Sequence, residues 1–210
     1  MKEIKKFNIQ EISLFLDHFY KLKEIERAGW SSKLLLESPE SVAEHTLTML
    51  VIALLFAEYS KYSLPTTIKI IKMILLHDLG ESIIGDYVPG AIDIEKKKRL
   101  ENKAISKIIS KIPWITIKKK YFRIWNEFNE NKTDTSKLIH IIDKLEMAMQ
   151  AKYYLKNNKN IKKNDVKPFF ESALRYVIEN YDTGDTKKIV DFDKKNDINE
   201  IEQILLYLYK

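Results

Sequence analysis

Hydrophobic residues along this chain recur at steps of three and four residues, the spacing that places side chains on one face of an α-helix. The first such stripe consists of Ile12, Phe15, Phe19, Leu22 and Ile25. It predicts a first helix that ends at Gly29, because glycine disfavours continuation of a helix. The alternation of apolar and polar residues that marks a half-buried strand does not recur along the sequence. We therefore predict an all-α fold.

Capping signals divide the remaining chain into further helices. Ser38-Pro39-Glu40 combines a capping hydroxyl with a proline that the first turn tolerates, and predicts a helix from there to about Ser60. Leu64-Pro65-Thr66-Thr67 opens the next predicted helix, which ends near Gly80. Two glycines and a proline predict a loop at residues 83–90. The other predicted helices are 92–109, closed by Pro113, 115–130, 133–155, about 165–181 and about 197–209.

Composition agrees with long helices joined by short loops. The chain has 210 residues, is 45% hydrophobic and contains only five glycines and five prolines, too few for a fold with many tight turns. Its length fits one domain, which we predict to span residues 1–210. Lysines dominate the formal charge of +6 but are scattered. A solvated basic surface of this kind predicts no binding of polymeric nucleic acid, although it can attract small phosphorylated substrates.

Cysteine usage and hydropathy bear on the location of the protein. The chain has no cysteine, which excludes disulfides, zinc ribbons and cysteine nucleophiles and fits a reducing compartment. The first residues lack the apolar core of a signal peptide. The longest apolar run, residues 47–57, is far shorter than the roughly 20 residues that span a bilayer. We predict a cytoplasmic protein with no membrane partner.

Four polar residues stand within or beside apolar sequence on three predicted helices: His45, the adjacent His77 and Asp78, and Asp143. A carboxylate in such a place costs several kcal/mol unless it is paired, hydrogen-bonded or bound to a metal. Two imidazoles and two carboxylates suit a divalent ion such as Mn, Co, Fe or Zn. Neighbours on a helix diverge by about 100°, yet a His and an Asp of different length can reach one ion. We therefore predict a metal site.

Each member of this set also has an ordinary interpretation. A single histidine on an apolar helix is usually a hydrogen-bonded core residue, which is our expectation for His18 and His140. A single interior aspartate is usually a cap or an ion-pair partner. The joint pattern of His, His-Asp and Asp in a helical chain is a stronger signal than any one of its members.

Longer motifs carry a resemblance to a known family. They are RAGW (27–30), ESVAEHT (40–46), HDLGESIIGDYVP (77–89), EKKKRLENKA (95–104) and DKLEMAMQAKYY (143–154). In order and spacing the chain resembles the HD-domain phosphohydrolase superfamily and, within it, the small 5′-deoxynucleotidase branch. The resemblance covers residues 18–155, and nothing is carried over to the C-terminal third.

The resemblance implies a role for each matching residue. It implies metal ligands at His45, His77, Asp78 and Asp143. It implies a catalytic site in which Asp78 holds the metal, Glu81 lies near the attacking water and Arg27 orients the phosphate. It implies substrate-binding positions at Arg27, Trp30, Asp86, Tyr87, Val88 and Pro89.

Other interpretations of the supporting residues stay open. Glu81 can end a helix in solvent, Asp86 can be a turn residue after Gly85, Arg27 can be a cation at a helix C-terminus, and Trp30 can anchor the core. A further possibility is that Glu81, Asp86 and a loop carbonyl hold a second ion such as Mg, because all three offer hard oxygen donors.

The resemblance implies a metal-dependent 5′-deoxynucleotidase that hydrolyses nucleoside 5′-monophosphates, and a homodimer, because relatives are commonly dimers. The sequence itself offers no G-x-S-x-G nucleophile motif and no P-loop for a triphosphate. Two alternatives remain: a phosphodiesterase or triphosphohydrolase acting on a signalling nucleotide, and a non-catalytic nucleotide-binding protein.

Overall fold

The computed structural model describes residues 9–88 and 90–181, and this part of the chain is predominantly helical. Its helices are α1 (Ile9–Leu22), α2 (Ala28–Leu34), α3 (Val42–Tyr59), α4 (Leu64–His77), α5 (Glu81–Ile84), α6 (Ile94–Ser110), α7 (Ile115–Glu130), α8 (Asp134–Asn157) and α9 (Lys163–Tyr181). Within the described ranges, β pairing is limited to an isolated bridge between Glu26 and Ser41. The prediction of an all-α fold is confirmed.

The first predicted helix is in fact two helices, and its predicted end at Gly29 is wrong. The first helix stops at Leu22, and Gly29 lies inside α2. Between them the backbone pairs with a distant segment: Arg27 N–H donates to the carbonyl of Glu40, and Val42 N–H donates to the carbonyl of Ile25. These tertiary hydrogen bonds replace the helical ones that the apolar stripe favours.

Two further boundaries differ from prediction. Helix α3 begins three residues later than Ser38-Pro39, because Ser41 and Glu44 form a reciprocal capping box there. The segment predicted as a loop from residue 83 begins with the last residues of α5, and the helix ends at Gly85, whose φ of 79° suits glycine. Predicted helices beginning near residues 64, 94, 115, 134 and 163 are present. The helix predicted at 197–209 lies outside the described residues.

The apolar side chains form two clusters that share one helix. One cluster joins α1, α3, α4, α6, α7 and the start of α8 and includes the fully buried Met49, Met73 and Ile139. The other joins α2, α9 and the second half of α8, including Ala148 and Phe169. Helix α8 therefore contributes apolar residues to both clusters, and its middle lies where they meet.

Helix α3 has apolar residues on both its buried and its exposed faces. By length and composition alone it is the one helix among the described residues that qualifies as a candidate membrane span. A core helix of a soluble protein meets the same criterion, so this is weak evidence for a membrane. One face, including Met49 and Ala53, packs into the core, whereas Leu47, Val51 and Leu55 are exposed.

Candidate metal centre and cleft

Three helices bring the four predicted ligands together where the two clusters meet. His45 comes from α3, His77 and Asp78 from the end of α4, and Asp143 from the middle of α8. The Nε2 atom of His45 lies 3.2 Å from Asp143 Oδ1 and 3.9 Å from Asp78 Oδ2. The Nε2 atom of His77 lies 3.0 Å from the same Asp78 oxygen. These side chains therefore converge on a common region.

The adjacent residues His77 and Asp78 face the same region because the helix ends between them. Helix α4 finishes at His77, and Asp78 is its C-cap, with φ −109° and ψ 9°. The divergence of about 100° between neighbours applies only inside a helix. Termination of α4 at this point thus turns the Asp78 carboxylate back toward the His77 ring.

Both histidines have one ring nitrogen committed and the other available. His77 Nδ1 lies 2.6 Å from the carbonyl oxygen of Ile74, and His45 Nδ1 lies 2.5 Å from a carboxylate oxygen of Glu146. Because these oxygens accept, both Nδ1 atoms carry hydrogen. Among the described residues, neither buried Nε2 atom has a hydrogen-bond partner. Such orphaned nitrogens beside two carboxylates form a donor set that fits a divalent metal ion.

The two carboxylates are held in their charged form. Burial alone would raise the pKa of the Asp78 carboxyl group. The nearby His77, Arg27 and His45 side chains outweigh this effect and bring the Asp78 pKa below its usual range. Burial likewise opposes charge on Asp143, but Lys144 and His45 hold its pKa well below normal. A metal-binding carboxylate must be deprotonated. Both aspartates therefore meet that requirement at neutral pH.

The charge of these carboxylates is balanced by cations in the same region. The Arg27 guanidinium lies 3.1 Å from Asp78 Oδ2 and 3.7 Å from Asp143 Oδ1, and Lys144 Nζ lies 2.9 Å from Asp143 Oδ2. Burial and Arg27 lower the pKa of His45, but Asp143 and Glu146 outweigh them and raise it to about 9. A metal ion would therefore displace a proton from the His45 Nε2 atom on binding. The centre is consequently a dense set of alternating charges, largely shielded from water.

Glu81 differs from the other carboxyl groups in the cleft. It opens α5 and is 4% exposed, and its Oε2 atom has no hydrogen-bond partner among the described residues. Burial, together with the charges of Asp78 and Asp86, raises its pKa well above the usual range. A buried carboxyl group whose pKa is raised holds a proton more readily than a free one, which suits a group that accepts and returns a proton in general acid–base chemistry. The alternative of a solvent-exposed helix end does not describe it.

Asp86 acts across the chain as a cap for α2. Its Oδ2 atom accepts a 2.8 Å hydrogen bond from the backbone N–H of Ala28, the first residue of α2. The local N-cap residue, Arg27, provides no side-chain cap. Asp86 therefore does more than form a turn, since it fixes the segment from which Arg27 projects into the cleft.

Trp30 borders the cleft but lies mostly within the second apolar cluster. The residue is 2% exposed, and the centroids of the Trp30 and Phe169 rings lie 4.4 Å apart. The Trp30 Nε1–H donates a 2.8 Å hydrogen bond to the Glu40 carboxylate. This arrangement matches the alternative in which Trp30 anchors the core. Direct contact between Trp30 and a substrate stays a prediction.

A cleft of about 220 Å³ opens over these groups. It is bordered by Arg27, Asp78, Glu81, Asp86 and Asp143, by Trp30 and Tyr87, and by the lysines Lys33, Lys97 and Lys144. Val88 is half-buried in the adjoining loop. Pro89 lies outside the described residues. The cleft thus combines the candidate metal donors with a ring of cations suited to a small anion.

Sequence reasoning overlooked several residues of this site. It assigned no role to Glu146, Lys144 or Lys97, nor to Glu40 beside the site, although all four lie inside quoted motifs. Glu146 follows Asp143 by three residues, so helical spacing was an available signal. Of the other two histidines, His18 is a buried, hydrogen-bonded residue as predicted, with its Nδ1 atom 2.8 Å from Ser82 Oγ, whereas His140 is half-buried and its ring stacks on Phe128.

Known proteins resemble this chain in sequence. A family model described as HD domain matches residues 19–200, which extends the resemblance beyond residue 155. The 5′-deoxynucleotidase HDDC2 of Dictyostelium discoideum is 36% identical over 161 residues, 73% of this chain and 83% of that protein. The 5′-deoxynucleotidase HDDC2 of Homo sapiens is 30% identical over 141 residues, 67% of this chain and 66% of that protein.

Solved structures resemble the fold over nearly the whole chain. A conserved hypothetical protein from Pyrococcus furiosus has a TM-score of 0.65 and 29% identity, over 96% of this chain and 98% of that one. A predicted metal-dependent phosphohydrolase from Magnetospirillum magnetotacticum has a TM-score of 0.58 over 86% of this chain and 96% of that one. At 20% identity, the second comparison bears on the fold alone.

Proposed function

Because the chain belongs to the HD-domain family, we propose that it is a metal-dependent 5′-deoxynucleotidase, which hydrolyses (deoxy)nucleoside 5′-monophosphates to nucleoside and phosphate. The observation that carries the proposal is the convergence of two histidines and two aspartates beside Arg27 and Glu81 in one cleft. The relatives named 5′-deoxynucleotidase HDDC2 support the choice of substrate.

His45, His77, Asp78 and Asp143 would hold the divalent ion, for which Mn, Co, Fe, Zn and Mg are candidates. When bound, the ion would supply Lewis-acid neutralisation of phosphoryl charge and activation of water. The protein side chains supply the rest. Arg27 offers a planar fork of donors to a phosphate and is always charged. Ion pairs with Asp78 and Asp143 hold the Arg27 guanidinium beside the candidate metal ligands.

Glu81 would serve as the acid–base group of the reaction. Water attacks phosphorus while the bond from phosphorus to the 5′ oxygen breaks, so one proton leaves the water and one reaches the departing nucleoside oxygen. A buried carboxyl group with a raised pKa can accept the first and return the second. Glu81 borders the same cleft as Arg27 and Asp78, which supports this assignment.

The direct test is a phosphate-release screen of purified protein over nucleoside mono-, di- and triphosphates and cyclic nucleotides, crossed with a panel of divalent metals. We expect turnover of 5′-monophosphates, with deoxyribose preferred over ribose and little dependence on the base. Cleavage restricted to triphosphates or cyclic nucleotides would favour the alternative phosphohydrolase function. No cleavage by metal-loaded protein would favour a non-catalytic nucleotide-binding role.

Replacing Arg27 by alanine should lower turnover by about 100-fold, a typical effect of removing one charged donor from a transition state. The loss should be similar for every base, because a phosphate contact carries no information about the base. Steady-state kinetics on four deoxynucleoside monophosphates would measure it. Arg175→Ala, which removes an exposed arginine on α9, is the matched control and should retain the wild-type rate. Losses that differ strongly between bases would contradict the phosphate role.

We further propose a homodimer that associates through the exposed face of α3. Leu47, Val51 and Leu55 project from this face with 62%, 50% and 64% of their surface exposed, and burying such side chains against a second copy is favourable. Light scattering should give twice the 24.8 kDa chain mass, and Val51→Lys should shift it toward the monomer. Ile115→Lys, at an exposed apolar residue on α7, should not. A monomeric wild-type protein would contradict the proposal.

A cytoplasmic location and a single domain over residues 1–210 complete the proposal. The absence of cysteine and the family match over residues 19–200 support them. The cleft of about 220 Å³, bordered by Arg27, Lys33, Lys97 and Lys144, supports a small phosphorylated substrate. Fractionation of cells that make the protein would test the location.

A further inference from the structure

Glu146 is a fully buried carboxylate to which the proposed reaction assigns no step. It lies on α8, three residues after Asp143, and the residue is 0% exposed. Its Oε2 atom lies 2.5 Å from Nδ1 of His45. Helix α8 thus contributes a candidate ligand and, on the same face, a group that contacts another candidate ligand.

The two histidines of the centre are oriented by different kinds of acceptor. His77 donates from Nδ1 to a neutral backbone carbonyl of its own helix, that of Ile74. His45 donates from Nδ1 to the Glu146 side chain, which lies 101 residues away in sequence. Only the orientation of His45 therefore depends on the packing of α8 against α3 and on a side chain that can be changed.

A neighbouring carboxyl group, Glu40, does not share this contact. Its Oε1 atom accepts the 2.8 Å hydrogen bond from Trp30 Nε1, and its backbone N–H donates to the Tyr154 hydroxyl oxygen at 2.7 Å. Glu40 is nevertheless buried within 4.8 Å of the His45 and Glu146 polar atoms. The chain thus provides a second buried carboxyl group, similar in surroundings but without the hydrogen bond.

We infer that Glu146 is a positioning residue, which holds His45 with Nδ1 protonated and Nε2 turned toward Asp78 and Asp143. This inference rests on the metal site proposed above. A carboxylate that accepts a hydrogen bond from the N–H of a metal-binding imidazole fixes the tautomer and the orientation of the ring. It also makes the other ring nitrogen a stronger electron-pair donor to the metal. The unpartnered Nε2 atom of His45 and its 3.2 Å approach to Asp143 agree with that arrangement.

Co²⁺ binding to the full-length protein, stripped of metal beforehand, tests the inference without using activity. Titration followed by visible absorption should show that Glu146→Gln binds Co²⁺ about 10-fold more weakly than wild type, since the amide can accept the hydrogen bond but carries no charge. Glu146→Leu, which removes the acceptor altogether, should weaken binding about 100-fold. The absorption bands of bound Co²⁺ should also change, because they report on ligand geometry.

Glu40→Gln is the matched control and should change Co²⁺ affinity by less than about threefold, a smaller effect than loss of a hydrogen bond to a metal-binding histidine usually produces. Equal weakening by Glu40→Gln and Glu146→Gln would overturn the inference. The effect on Co²⁺ affinity would then come from the loss of any nearby buried charge and not from the hydrogen bond to His45. Wild-type affinity and spectrum in Glu146→Gln would also overturn it. Melting of the metal-free variants identifies any that fail to fold, and the near-isosteric Glu146→Gln then decides. Failure of the wild type to bind Co²⁺ would instead overturn the metal site itself.

Discussion

Asp78→Asn is expected to remove most of the bound metal and most of the phosphohydrolase activity together. The amide keeps the shape of the side chain but removes the negative charge of the Asp78 carboxylate, whose Oδ2 atom faces both histidines. Asp78 Oδ2 lies 3.0 Å from His77 Nε2, 3.9 Å from His45 Nε2 and 3.1 Å from the Arg27 guanidinium. Asparagine is a much weaker ligand for a divalent ion, so we expect turnover to fall on the order of 1000-fold.

Elemental analysis of purified protein, paired with steady-state kinetics, would measure both effects on one sample. Asp17→Asn, which makes the same chemical change at an exposed position on α1, should keep wild-type metal content and rate. A variant of Asp78 that contains no metal yet turns over substrate like the wild type would refute metal dependence. Retention of metal with loss of activity would show that the other three residues suffice for binding.

The four candidate ligands could be selected from the sequence because their local sequence context is unusual. Each lies within or beside apolar helical sequence, where an unpaired polar group needs compensation. The structure adds what spacing alone does not give, namely that α4 ends between His77 and Asp78. That ending depends on the cap geometry, and it removes the angular conflict expected for adjacent residues of one helix.

The errors arise where distant parts of the chain decide local structure. The predicted long first helix is interrupted because residues 25–27 bond to residues 40–42, and no local pattern encodes that pairing. The burial of Trp30 depends on Phe169 of α9, in the third of the chain to which the sequence motifs did not extend. The spacing of Glu146 from Asp143 was a local signal that the two share a helix face, but the contact of Glu146 with His45, which joins two separate helices, is not encoded locally.

Glu81→Ala is expected to separate catalysis from metal binding. Glu81 borders the cleft, but among the described residues it is in neither group whose possible ligand atoms all lie within 4.8 Å of one another; these groups are His45 with His77 and Asp78, and Glu40 with His45 and Glu146. Removing Glu81 should therefore leave the metal content unchanged. The rate should fall by about 100- to 10,000-fold, the usual contribution of a positioned acid–base group.

Metal content and kcat would be measured together on Glu81→Ala and on the near-isosteric Glu81→Gln. The glutamine variant keeps the packing of a residue that is 4% exposed but does not exchange a proton at the relevant pH. Equal losses in the two variants would therefore indicate lost proton transfer, and a nearly active Glu81→Gln would contradict it. Glu24→Ala, at an exposed position, should have no effect on either measurement.

Loss of metal from Glu81→Ala would point to a different role for the same carboxylate. Glu81 and Asp86 would then hold a second ion, as their oxygen donors allow, and Asp86→Asn should reproduce the loss. Asp86 already accepts the N–H of Ala28 through Oδ2, which leaves its other oxygen for such a role. If the site holds a single ion, Asp86→Asn should retain the metal. Any effect on the rate would then come from the loosened segment that carries Arg27. Metal stoichiometry in these two variants therefore distinguishes a catalytic proton carrier from a ligand.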